Sequence, residues 1–185
     1  MAPLALFDTS IVEFTRAATS FATILSVAKE HASSPDVANS YPALKLAEDM
    51  LPLSFQVGIF SNTCKRSIER LAPSKTASLP NWDAEELKTL DDLIARVDAV
   101  KKMLETVQAE DVAGVDEKIV ECGLGKTETA KLEAKGYLLG YALPNVFFHL
   151  SIAYAILRKE GVPLGKRSYL NSFMEPVVVE MVKHE

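Results

Sequence analysis

From Tyr137 to Leu157 the chain runs for 21 residues without a charged side chain. That is the length of a membrane span, which takes about 20 apolar residues. Pro144, Asn145 and His149 lie near its middle, where a lone span would hold them in lipid at a cost of several kcal/mol or so. A helix at the centre of a soluble bundle is apolar all round and gives the same pattern. The reading is therefore a buried bundle helix, running from about Ala134 to Glu160. Pro144 should kink or restart it, because proline lacks the N–H of a helical residue. Gly161 and Pro163 should stop it.

Three further segments carry helical periodicity. Ile11, Phe14, Ala18, Phe21, Leu25 and Ala28 recur at intervals of three and four, ending near His31. Ser10 and Glu13 have the form of a capping box in front of them. A second helix or broken pair spans Ala43 to Leu71, interrupted at Pro52, with Leu53, Val57, Phe60, Cys64, Ile68 and Leu71 as its apolar stripe. Gln56 lies at the stripe's edge. A third helix carries Leu87, Leu90, Ile94, Val97, Val100, Leu104 and Val107, with Asp83 and Glu86 as its capping pair. Loops are expected at Ser33–Pro42 and Pro73–Pro80. Lys118–Cys122 and Thr127–Leu132 alternate about Gly123 and Gly125, which predicts a short β-hairpin. Gly125-Lys126-Thr127 reads as its turn, since a phosphate loop would need a glycine where Val120 stands. Ser168 to Glu185 reads as a tail, in which Val177, Val178, Val179, Met181 and Val182 could form a last strand or helix against the bundle. The organisation is one domain, 1–170, followed by a C-terminal tail, 171–185.

Composition narrows the partners. The 185 residues carry a net charge of −5, and no face collects the lysines and arginines that a phosphate backbone would attract. Pairs such as Lys65-Arg66 and Lys166-Arg167 read as solvated surface. No nucleic acid and no membrane partner is expected. The two cysteines, Cys64 and Cys122, are too few for a disulfide scaffold and lack metal-binding spacing. Met1 to Phe7 does not resemble a signal peptide. A reducing cytoplasm is the expected setting.

The chemistry centres on His149. If buried, its ring needs hydrogen-bond partners, and Asn145 one turn earlier and Gln56 from the second helix are the candidates. Such a group could orient a ligand or move a proton. His149 and Gln56 are the expected catalytic pair, with Asn145, Tyr141, Phe60 and Tyr169 as ligand contacts. The competing reading is a core histidine tied to a backbone carbonyl or a tyrosine. Tyr137, Tyr141 and Tyr154 at helical spacing fit a core boundary. The histidines His31, His149 and His184 lack a His-x-x-x-His pair, so no metal and no cofactor is expected.

The stretch Tyr137-Leu138-Leu139, Ala142 to His149, Ala153 to Arg158, Gly161-Val162 and Gly165-Lys166-Arg167 resembles the hallmark of the domain-of-unknown-function family DUF1993, in the DinB/YfiT-like superfamily of proposed metalloenzymes. Asp49 to Leu53 with Gln56-Val57, and Trp82, agree with it. The resemblance implies an all-α, up-down-down-up four-helix bundle, often dimeric. In the wider superfamily it implies a histidine triad holding a divalent metal. Relatives often carry a histidine where this chain has Gly140, which leaves His149 as the one matched ligand. Three functions follow for test: a metal-independent small-molecule site, with isomerase, lyase or cyclase chemistry; a non-catalytic module that binds a partner or forms a homodimer; and a metal-dependent DinB-like enzyme.

Overall fold

A computed structural model describes residues 5–82, 87–125 and 127–180. Four long helical rods build it: α1 (Glu13–His31), α3 (Leu53–Leu71), α4 (Leu90–Glu105), and a last rod made of α5 (Ala134–Tyr137) and α6 (Leu143–Lys159). Each of α1, α3 and α4 buries one apolar stripe, the arrangement that water imposes on an amphipathic helix. The rods form a ring in which α1 touches α4 and α6, while α3 touches α4 and α6. Lys29 near the end of α1 reaches Asp91 at the start of α4 at 2.7 Å, so these two run antiparallel. Gln56 near the start of α3 meets His149 late in the last rod, so that pair is antiparallel too. Lys75, just after α3, meets Asp111, just after α4, at 3.1 Å, so α3 and α4 run parallel and the bundle is up-down-down-up. The chain must travel its full length between α3 and α4.

The charge-free run is this last rod. It and the rod through α1 are long and apolar enough to cross a membrane, but both are built into the bundle. Phe14, Phe21, Ile24, Leu53, Phe60, Ile68, Leu93, Leu150 and Ile156 fill the interior, all fully buried. The hairpin stands at the lower end, with β1 (Ile119–Leu124) antiparallel to β2 (Glu128–Glu133) and Cys122 opposite Ala130. Gly125 takes φ +70° in its turn, a conformation glycine adopts without strain. Lys126 lies outside the described residues.

Pro144 stands in the first turn of α6, which restarts the rod after a widened turn. Residues Leu138–Ala142 form a π turn, in which the Leu143 N–H bonds the Leu138 carbonyl. One extra residue in the turn relieves the clash between a proline ring and the carbonyl four residues back. The rod stops as expected at Gly161, φ +84°. The Gly161 and Val162 N–H groups bond the Arg158 and Leu157 carbonyls at 3.2 and 3.1 Å, which satisfies the helix end.

Several expectations need correction. Ser10 caps nothing: the chain is already helical before it, and its hydroxyl donates to the Leu6 carbonyl at 2.6 Å. The stretch Leu44–Pro52 is a loop rather than helix. Pro52 disfavours helical geometry in Leu51 before it, and the Leu53 N–H closes the loop on the Leu44 carbonyl at 2.8 Å. Part of the expected loop is instead the short helix α2 (Pro35–Ser40), with Ser34 accepting the Val37 N–H and Pro35 opening the first turn. These are standard start signals, passed over in favour of the turn reading. Asp83 and Glu86 lie outside the described residues. The cap of α4 is Thr89, which exchanges hydrogen bonds with Asp92, and Leu87 precedes the helix. Finally, Lys166–Met174 is a helix, α7, packed on α1, where a tail was expected. The Ser20 hydroxyl donates to the Tyr169 carbonyl, and Phe173 packs on Phe147 with centroids 5.8 Å apart.

Candidate functional site

The antiparallel seam between α3 and the last rod carries a ladder of polar pairs inside an otherwise apolar contact. At its upper end His149 Nδ1 lies 2.8 Å from Gln56 Oε1. In the middle the Asn145 amide donates to Thr63 Oγ1 at 2.7 Å. At the lower end Ser67 Oγ and the Tyr137 hydroxyl are 3.0 Å apart. Each pair satisfies groups that burial would otherwise penalise by about 1–3 kcal/mol.

The Gln56–His149 pair fixes a tautomer. The Gln56 amide nitrogen donates to the carbonyls of Leu51 at 2.9 Å and Pro52 at 3.4 Å, which sets Oε1 towards the imidazole. An amide oxygen only accepts, so Nδ1 carries the proton and Nε2 keeps its lone pair. Burial pushes the His149 pKa down to about 4, so the ring is neutral at physiological pH. His149 is 8% exposed. Its Nε2 makes no hydrogen bond among the described residues, yet no buried side-chain polar atom there lacks a partner. Nε2 therefore reaches solvent. Around it stand Phe148, its ring 5.2 Å away and perpendicular, and Phe55 at 6.3 Å. Phe148, Phe55 and nearby Leu51 are 55%, 38% and 51% exposed. The arrangement is a lone pair set in an aromatic, outward-facing rim.

The other candidates disperse. Phe60 is fully buried against Phe21, centroids 4.9 Å apart, and belongs to the core. Asn145 is near His149 in sequence, but its amide serves Thr63. Tyr141 stacks on Tyr137 at 5.9 Å, at the lower end of the seam. Tyr169, on α7, packs against Tyr154 and Phe173, with its hydroxyl 3.3 Å from Ser151 Oγ. Among the described residues these contacts spread the six over both ends of the seam, the core and α7. Thr63 was missed, and Ser67, which spacing puts on one face with Gln56 and Phe60, was not expected in the site. Their signal was available: with Gln56 and Phe60 they recur at intervals of four and three on one face of α3, small polar residues where an apolar stripe was expected.

A metal does not fit this site. Among the described residues no group of three or more His, Cys, Asp or Glu side chains could hold one, and His149 offers a single nitrogen among an amide and two phenyl rings. His184 lies outside the described residues. Cys64 is fully buried, and burial drives its thiol far above the ordinary range, so it supplies neither a ligand nor a nucleophile.

No curated protein matches the chain. Among solved structures it is similar to a DinB family member protein from Shewanella denitrificans, with a TM-score of 0.77 and 29% sequence identity. That match covers 89% of this chain and 91% of the other. Residues 6–170 match the family model for the domain of unknown function DUF1993. With the hallmark stretch, the bundle topology and the seam all inside that span, the chain belongs to the DUF1993 family and has a DinB-like fold.

Proposed function

We propose that this protein binds a small organic molecule at the outward rim of the α3–α6 seam, without a metal, and that His149 is the group that orients it. The observation that carries this reading is the Gln56 contact, which holds Nδ1–H and leaves the Nε2 lone pair aimed outward. An imidazole with a pKa near 4 is a weak base at neutral pH, so accepting a hydrogen bond is its stronger role and proton transfer the more demanding one. Phe55 and Phe148 would supply apolar contact to the ligand's body. Any isomerase, lyase or cyclase chemistry would run through the same nitrogen, with Gln56 as its positioning residue. The two unpaired thiols, Cys64 and Cys122, suit the reducing cytoplasm proposed as the setting.

Native mass spectrometry of tag-free protein, purified gently, tests this. The expected result is an organic molecule retained by the wild-type chain and lost from His149→Ala. A bare wild-type mass, together with a fragment screen in which no compound moves the His149 ring resonances, overturns it. A mass excess of one divalent ion would replace it with the metal-dependent reading.

A second reading rests on the same exposed apolar side chains. Leu51, Phe55 and Phe148 form a face of the kind that marks contact sites, and a homodimer through it would cover His149. Sedimentation separates the two: a dimer that Phe148→Asp converts to monomer favours the non-catalytic module.

A further inference from the structure

The lower end of the seam holds a feature that the His149 reading does not use. A cleft of about 100 Å³ opens between α3, the hairpin and the start of the last rod. Arg66 and Arg70 line it from α3, Tyr137 and Tyr141 from the last rod, with Asn62 beside them. Arg70 is held in place: its Nε donates to the Glu121 carbonyl at 2.7 Å, its Nη1 donates to the Arg66 carbonyl at 2.9 Å, and its guanidinium lies 5.0 Å over the Tyr137 ring. A guanidinium carries five N–H donors, so most of its donors remain unused.

Among the described residues no carboxylate neutralises this pair, and no aspartate or glutamate lines the cleft. Glu69 turns to Lys65 at 3.9 Å, and the Glu121 side chain to Lys131 at 3.7 Å. Among the described residues neither arginine has an ion pair, and the Arg66, Asn62 and Tyr141 side chains make no hydrogen bond. Two guanidinia one helical turn apart repel. A chain of net charge −5 has carboxylates to spare for such a pair, yet none of the described ones is placed here. Unused donors of three kinds face one small space, and a carboxylate or phosphate offers the paired oxygens that a planar guanidinium binds two at a time.

We propose that this cleft binds an oxyanion head group, the carboxylate or phosphate of a small metabolite, with Arg66 and Arg70 as its charge partners and Tyr141 as a further donor. The cleft, at about 100 Å³, has room for one such group. This site stands whether or not His149 binds anything.

The test is a titration of isotope-labelled protein with sodium phosphate and, separately, sodium benzoate, at constant ionic strength, following the Gly123 amide and the Arg70 Nε–H by NMR. Saturable shifts with at least one salt are expected; phosphate acting alone assigns the phosphate class and benzoate acting alone the carboxylate class. Arg66→Gln removes an exposed side chain without fold contacts and should weaken binding about tenfold or more. Absence of a saturable shift with both salts overturns the proposal, as does unchanged affinity in Arg66→Gln.

Discussion

His149 carries the sharpest consequence at the scale of single residues. Its ring is neutral in the folded chain and titrates near pH 4, whereas in the unfolded chain it takes a proton near the ordinary value of about 6.5. Between those limits the unfolded state binds more protons, so stability present above about pH 6.5 is lost as the pH falls towards 4. The loss should be roughly 2–3 kcal/mol from this group. Urea midpoints measured across that window check it: they should fall in the wild type and fall less in His149→Phe. An NMR titration of the ring should give a midpoint well below 6. Cys64 makes a second case. Fully buried and disfavoured as a thiolate, it should resist a thiol reagent in native buffer and react at once in denaturant; rapid native labelling would contradict its placement. At this scale the sequence made His149 and Gln56 visible, because a histidine and a glutamine inside apolar stripes have few places to go. It did not reveal that Asn145 chooses Thr63. Which of two nearby acceptors an amide takes depends on a rotation of α3 that periodicity alone does not resolve.

Among the elements, α4 shows where local chemistry is decisive. Thr89 accepts the Asp92 N–H at 3.1 Å, and the Asp92 carboxylate accepts the Thr89 N–H at 2.8 Å. These hydrogen bonds, the one from Thr89 foremost, hold the Asp92 carboxyl below its ordinary pKa. Thr89→Ala should cost about 0.5–2 kcal/mol by urea unfolding, as cap removals do, with Asp92→Asn smaller. The rods themselves were legible, since their apolar stripes repeat over many turns. Their edges were not. Ser10 and Glu13 match a capping box in letters, yet the helix begins upstream, and a serine inside a helix simply bonds back to a carbonyl. Conversely, Ser34-Pro35 started a helix that the surrounding loop composition concealed.

For the molecule as a whole, the placement of α7 matters most. Its aromatic side chains Tyr169 and Phe173 cover Phe147 and Tyr154, and its backbone is tied to Ser20 of α1. A chain ending at Gly165 should therefore lose stability, by less than the ~3–5 kcal/mol that each fully buried aromatic side chain is worth, since Tyr169 and Phe173 are half-buried. Thermal unfolding of the truncated chain checks this, and an unchanged midpoint would mean that α7 adds nothing. Sequence reading missed this helix because its pattern is short and its buried face is partial; only the groove beside α1 makes it an element. The ring of four rods, by contrast, followed from the family resemblance rather than from periodicity, which says nothing about which rods are neighbours.

The π turn at Leu138–Ala142 sets the phase between the two ends of the seam. Each helical residue advances by about 100° around the axis. Straightening that turn to regular pitch with every residue kept would leave a sound helix, but everything after it would rotate by that angle. Tyr137 would keep facing Ser67, while Asn145 and His149 would swing away from Thr63 and Gln56. The wide turn absorbs one surplus residue and so times the lower cleft and the upper rim to one another, as two cams are timed by a key on a common shaft.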